Sequence, residues 1–340
     1  MLCRLRGNFR STAIEAITGQ MAVEIRFAHL SDWHATSLVG SGRELLAPKR
    51  LSGWASWRFS RRHRHSSEIL AAAIDDVRSQ SVDRILVSGD LTHVSLEREF
   101  RAAAEQLKAL GTPENVFLIP GNHDCYVAVA PERSWDLWTP YLRGDLHSEL
   151  EPALARCLAP AGPRSRAPRF EEYPTLRIHD RLAVVGLCSA IPTPIFRAGG
   201  EIGATQLHRL ERLLAELRSL GFARVVMLHH PVVAADEARR RALSDGEALR
   251  EVLAREGADL VLHGHKHRRR VNSIAGLYGE IPVIGVPSTS EVGSRSDRRA
   301  QYHLYTLRSD DAQPGFRIES EIRGYDPASG AFVRVEETLF

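Results

Sequence analysis

The 340 residues are 43% hydrophobic and 26% charged, the balance of a globular chain that buries one large α/β core or two smaller ones. A net charge of +3 is too small to mark a nucleic-acid-binding protein, and nowhere do about 18 apolar residues run together as a membrane-spanning helix requires. The four cysteines, Cys3, Cys125, Cys157 and Cys188, have no paired spacing; that argues against a disulfide framework or a zinc finger and suits a reducing cytoplasm.

Residues 1–22 lack the apolar centre of a signal peptide and are expected to be a disordered extension, with Met21 as a second start just ahead of the first strand. Val23 to Leu30 reads as a strand that exits into Ser31-Asp32-Trp33-His34. Residues 35–65 form an insertion before the first long helix. They hold Arg43, Lys49, Arg50, Arg58, Arg61, Arg62 and Arg64, with Trp54, Trp57 and Phe59 interleaved. Apolar positions at helical spacing predict a helix over 66–80, and Arg84 to Ser88 is a strand entering Gly89-Asp90. A helix near 96–110 stops at Gly111 and Pro113, and a strand at 115–119 ends in Gly121-Asn122-His123-Asp124.

Residues 125–170 break this rhythm with Trp135, Trp138, a helical stretch near 147–158 and a run rich in Pro, Arg, Ala and Gly; they read as a cap or lid beside a site. Strands near 174–179 and 182–188 make a hairpin around His179-Asp180. A helix over 203–220 leads to a strand, Val225 to Leu228, and to His229-His230-Pro231. Another over 244–256 leads to a strand at 259–262 and to Gly264-His265-Lys266-His267. Segments at 270–275, 281–286, 301–308, 316–323 and 331–336 close the chain as strands.

Five polar stretches thus follow five strand-like segments, and in open α/β sheets the carboxyl ends of the strands are where sites are built. A lone Asp or His at a strand end is ordinarily a solvated loop residue. Gathered behind core strands, such side chains destabilise the fold unless something pairs with them. The donors are carboxylates, imidazoles and one amide oxygen, with no cysteine. That set suits Mn, Fe, Zn or Co rather than Ca or an all-thiolate zinc. The Asp, Asn and His side chains of these stretches are too many for one ion and enough for two.

In this order, Asp-x-His, Gly-Asp, Gly-Asn-His-Asp, His and Gly-His-x-His resemble the signature of the calcineurin-like metallophosphoesterase superfamily, over roughly residues 24–290. The protein-phosphatase branch carries a second Asp and an Arg shortly after Gly-Asp. Here Leu91-Thr92-His93-Val94 stands instead, which favours the bacterial phosphodiesterase-like branch and leaves no acidic partner for His123 in view.

The resemblance implies an α/β fold, a four-layer αββα sandwich with two central mixed β-sheets, over residues 23–340, with 35–65 and 125–170 as insertions. It implies that Asp32, His34 and His267 hold one divalent ion, that Asn122, His229 and His265 hold a second, and that Asp90 bridges them. A hydroxide bridging two Mn, Fe or Zn ions would then attack phosphorus in line. His123 would face the substrate, stabilising the transition state or protonating the leaving oxygen. Asp124 is expected to hold its loop, and Gly121 and Gly264 to let the backbone turn sharply beside the ions. His230 is assigned to packing, and His93, His147, His179 and His263 are assigned structural places.

Three functions follow. The first is a cytoplasmic phosphodiesterase on a small phosphodiester or cyclic nucleotide. The second is a hydrolase of a lipid-linked phosphodiester or pyrophosphate, peripheral at the inner membrane, with Arg58, Arg61, Arg62 and Arg64 meeting substrate or lipid headgroups. Against it stands the plain reading of 43–65 as a solvated charged loop. The third is a catalytically silent binding or scaffold protein, disfavoured because no ligand position is missing. No specific nucleic-acid partner is expected, since there is no long basic tail.

Overall fold

The computed structural model describes residues 24–160, 162–233, 238–293, 298–309 and 316–339; residues 1–22 and the side chain of Arg61 lie outside the described residues. The strands in chain order are β1 (Glu24–Leu30), β2 (Arg84–Val87), β3 (Val116–Leu118), β4 (Thr175–His179), β5 (Leu182–Gly186) and β6 (Ala223–Met227). They continue with β7 (Leu260–His263), β8 (Arg270–Gly276), β9 (Gly279–Gly285), β10 (Gln301–Ser309), β11 (Phe316–Asp326) and β12 (Ala331–Leu339). One sheet has the order β12-β11-β10-β1-β2-β3, the other β4-β5-β6-β7-β9-β8. Both are mixed: β1, β2 and β3 run parallel beside an antiparallel β10–β12 meander, and parallel β5, β6, β7 and β9 are flanked by antiparallel β4 and β8.

The alternation of side chains explains the layers. Ile25 and Phe27 of β1 face the second sheet, while Ala28 and Leu30 face helices α2 (Ser67–Ser79) and α3 (Glu97–Leu110). Val225 and Met227 of β6 likewise point between the sheets, and Val226 packs towards α6 (Ala204–Ser219) and α7 (Gly246–Glu256). Strands apolar on both faces must be covered on both, and two sheets back to back with helices outside satisfy that. Ser66 starts α2 by accepting from the backbone N–H groups of Glu68 and Ile69, and buried Glu99 does the same work for α3 at Leu96. No helix among the described residues is long and apolar enough to cross a membrane.

The insertion is ordered. After a short turn, α1 (Pro48–Ser56) runs into a π-helical turn, Trp57–Arg61, and the segment is anchored by Leu38, Leu45 and Trp57 on Val94 and Leu96. Lys49 and Arg50 turn inward: Lys49 Nζ donates to Thr193 Oγ1 at 2.9 Å, and Arg50 Nε donates to the Val94 carbonyl at 3.2 Å.

The segment 125–170 takes a different course from the expected lid. It joins β3 to β4 around one edge of the two sheets, carrying α4 (Thr139–Leu142) and α5 (Pro152–Ala155). Trp138, Tyr141 and Leu142 are buried with the helices of the first sheet, and Leu150, Leu154 and Cys157 with those of the second. Burial of these apolar groups holds the segment down as a connector. The helix expected over 147–158 shrinks to α5, because Pro152 can begin a helix but cannot sit inside one.

Candidate metal centre

The loops leaving β1, β2, β3, β6 and β7 converge at one rim. The Asp32 N–H donates to the Gly89 carbonyl at 2.9 Å and the His34 N–H to the Asp90 carbonyl at 3.2 Å, which lace the first two loops together. Asp32, His34, Asp90, His265 and His267 all adopt positive φ, between 39° and 72°. Five of the seven expected ligands therefore sit in backbone conformations unfavourable for residues with a Cβ, a pattern that clusters at functional sites. The glycines behave otherwise than expected. Gly89 has φ of 89°, whereas Gly121 and Gly264 lie outside the left-handed region. What Gly121 and Gly264 supply is room: a Cβ would fall 2.2 Å from Asp90 Oδ1 in one case and 2.4 Å from Asp32 Oδ2 in the other.

The seven side chains fall into two groups that share a centre. Donor atoms of Asp32, His34 and His267 lie within 4.8 Å of one another, as do those of Asp90, His229 and His265, and a third set, His34, Asp90 and His123, lies between them. Asp90 Oδ2 is 3.2 Å from His229 Nε2 and 3.7 Å from His34 Nε2, between the two sets. Asn122 Oδ1 stands 2.8 Å from His265 Nδ1 and 3.1 Å from His229 Nε2. Asp32 Oδ1 is buried without a hydrogen bond, although His267 Nε2 is 3.3 Å away. An orphaned carboxylate oxygen facing imidazole nitrogens fits a cation, and the donor set of O and N atoms suits first-row divalent metals.

The far side of each ring sets which nitrogen would bind. His34 Nδ1–H donates to the Thr92 carbonyl at 2.6 Å and His229 Nδ1–H to the Ser88 carbonyl at 2.7 Å, so Nε2 of each turns to the centre. Glu291 Oε2, 3.2 Å from His267 Nδ1, does the same for His267. Burial works against charge on His229 and His267. Asp90 prevails at the first, and Asp32 with Glu291 at the second, raising both to about 9, so each would exchange a proton for an ion.

Asp124 accepts from the backbone N–H groups of Asp90, Leu91, Thr92 and Gly121, at 2.7 to 3.0 Å. It thereby ties the loop after β2 to the loop after β3. Burial, then the charge of Asp90, pushes its carboxyl up to about 7, while the N–H groups of Gly121 and Thr92 pull the other way. His123 lines the cavity with its Nδ1–H donating to the His93 carbonyl at 2.6 Å and its ring stacked on Tyr126, centroids 5.4 Å apart. His93 therefore does more than fill space, since its own ring also stacks on His34. His230 is buried with Nδ1 2.7 Å from Ser189 Oγ, His179 meets Arg84, and His263 donates to the Gly264 carbonyl. His147 borders a separate small cavity.

Sequence reasoning passed over Glu291, His65 and the run Ser288-Thr289-Ser290. Ser288 Oγ donates to the Asp32 carbonyl and Thr289 Oγ1 to the Ser31 carbonyl, clamping the first loop from 256 or more residues away. His65 pairs with Glu291 across an isolated bridge and packs edge-on against His34. A signal was present: the run Ser-Thr-Ser-Glu leaves an apolar strand as the five recognised stretches do. Of the expected substrate or headgroup contacts, Arg64 reaches the cavity wall, whereas Arg58 and Arg62 face solvent beside an apolar groove. Among the described residues, none from 125–170 lines the cavity.

A family model described as calcineurin-like phosphoesterase matches residues 25–269. Over 99 residues, 27% of this chain, the sequence is 40% identical to a protein described as a probable cyclic nucleotide phosphodiesterase from Synechococcus sp. (strain WH7803), and the match spans 37% of that relative. A dimetal phosphatase from Danio rerio shares the fold, with a TM-score of 0.52 at 13% identity, over 93% of this chain and 98% of that one. Purple acid phosphatase PPD1 from yellow lupin (Lupinus luteus) seeds shares it too, with a TM-score of 0.53 at 13% identity, over 93% of this chain and 53% of that one.

Proposed function

Given that the chain belongs to the calcineurin-like phosphoesterase family, and so is a metal-dependent phosphoesterase, we propose that it is a phosphodiesterase acting on a small phosphodiester or cyclic nucleotide. The observation that carries this reading is the pair of donor groups meeting at Asp90. Asp32, His34 and His267 would hold one divalent ion and Asn122, His229 and His265 the other, with the Asp90 carboxylate between two cations that would otherwise repel. Two Mn, Fe or Zn ions so held would supply an activated water and neutralise charge on the phosphoryl oxygens.

The chain's own residues do the rest. His123, its Nδ1–H tied to the His93 carbonyl, would present Nε2 to the substrate and pass a proton to the leaving oxygen, or stabilise charge growing there. Asp124 keeps Asp90 and Asn122 in register by gripping the backbone on both sides. Asn122 in place of an acid keeps the site positive, which favours an anionic ester. The partial likeness to a probable cyclic nucleotide phosphodiesterase supports a diester over a monoester.

Turnover of bis(p-nitrophenyl) phosphate by metal-loaded protein tests the reading. Asp90→Asn and His123→Ala should each lower kcat by about 100-fold or more. Wild-type protein that binds no divalent metal and turns over no ester would instead favour a silent scaffold, and turnover indifferent to Asp90→Asn would place the chemistry away from this centre.

A second reading, hydrolysis of a lipid-linked ester at a membrane surface, is favoured by one feature. Leu38, Val39, Leu45, Leu46, Leu51 and Trp54 line an apolar groove of about 460 Å³, with Arg58 and Arg62 at its edge. Salt-sensitive binding to anionic vesicles decides it.

A further inference from the structure

In the cavity in front of Asp90 and His123, about 430 Å³, the described lining residues carry more positive charge than one phosphodiester can match. Among the described residues Arg64, Arg241, Lys266, Arg268, Arg270 and Arg298 line it, and the acids among that described lining are Asp90 and Glu291. Asp90 faces the candidate ligands, and Glu291 is shared between His267 and Arg64, 3.2 Å from the first and 3.7 Å from the second. Arg241, Arg268, Arg270 and Arg298 have no carboxylate within 4.0 Å among the described residues, and Arg298 Nε is buried with no hydrogen-bond partner.

These six cations do not form a run along the chain. Arg64 comes from the end of the insertion, Arg241 from the loop after β6, Lys266 and Arg268 from the loop after β7, Arg270 from the start of β8, and Arg298 from the approach to β10. Like charges drawn to one cavity from five segments repel, and the arrangement is favourable only when an anion shares it. A cyclic nucleotide brings a single negative charge, which the metal ions would take. Guanidinium groups in number suit the oxygens of a further phosphate, which they can grip two bonds at a time.

We infer that this cationic rim is a second phosphate subsite, so that the substrate is a phosphodiester carrying at least one phosphate besides the one attacked. The inference rests on the phosphodiesterase reading above and narrows it. Water supplies the new oxygen on phosphorus and the proton that the leaving oxygen takes up; the second phosphate is bound and not cleaved.

The test compares thymidine 5′-(p-nitrophenyl phosphate) with the same ester phosphorylated at its 3′ oxygen. The added phosphate should raise kcat/KM roughly tenfold or more, mainly through KM. That advantage should shrink as salt rises from about 50 to about 300 mM. In Arg268→Ala/Arg270→Ala/Arg298→Ala the ratio of the two kcat/KM values should fall towards one, with Arg268→Ala alone giving a partial fall should the triple variant fold poorly. Equal turnover of the two esters, or a ratio unmoved by the substitutions, overturns the inference. If neither ester is cleaved with any divalent ion, the phosphodiesterase reading fails by itself. The subsite is then judged by calorimetry of thymidine 3′,5′-bisphosphate against thymidine 5′-monophosphate, where equal affinities overturn it.

Discussion

Asp124 shows how one side chain can govern a centre that it does not enter. Its two oxygens face four backbone N–H groups and the Thr92 hydroxyl, all of them donors. An amide in that place would turn its own NH2 against at least one buried donor and leave it unmet. Asp124→Asn is therefore expected to destabilise the protein by about 2–3 kcal/mol. The effect should appear as a lower urea midpoint whether or not metal is present; an unchanged midpoint would mean that these contacts carry little. The role of Asp124 in its loop could be anticipated from its place beside Asn122, but the number of donors it serves could not. Leu91 and Thr92 announce nothing, because what they contribute is backbone, and backbone donors leave no mark on residue type.

At the scale of elements, the insertion before α2 divides its charges. Lys49 and Arg50 turn inward onto Thr193 and Val94, Arg64 turns to the cavity, and Arg58 and Arg62 stay at the surface. Beside them Leu46 and Phe59 are 77% and 81% exposed, more apolar surface than a solvated charged loop needs. Apolar side chains flanked by arginines suit the interface of an anionic bilayer, where each cation near the surface is worth about 1 kcal/mol. If the protein works there, it should co-sediment with vesicles rich in anionic phospholipid, and Arg58→Ala/Arg62→Ala should weaken binding by about 30-fold. Binding that is absent, or that ignores both salt and these substitutions, would leave 35–65 as a structural insertion. Composition alone marked this block as unusual, yet which of its cations face water depends on where α1 packs.

Across the whole molecule, the candidate centre joins the two sheets. Asp32, His34, Asp90 and Asn122 leave strands of the first sheet, and His229, His265 and His267 leave strands of the second. Ions bound there would link the layers and relieve the repulsion of buried carboxylates, so removal of metal should be felt as lost stability. With ligand at about a thousand times its dissociation constant the effect is about 4 kcal/mol, and chelation should lower Tm by roughly 6 °C. Calorimetry before and after dialysis against chelator measures this, and a coincident transition would speak against ions that bridge the sheets. By itself the sequence determined most of the strands, the long helices and the polar strand ends, because periodicity is written in neighbouring positions; the four-layer class and the choice of seven ligands followed from the resemblance to a known family. Only the folded chain decided that Glu291 sits against His267, that the Ser288–Ser290 run secures residues more than 200 positions away, and that 125–170 connects layers rather than covering the cavity. It also decided that six scattered cations share one wall. Such relations arise from strand order and packing between distant segments, for which no local pattern of residues stands.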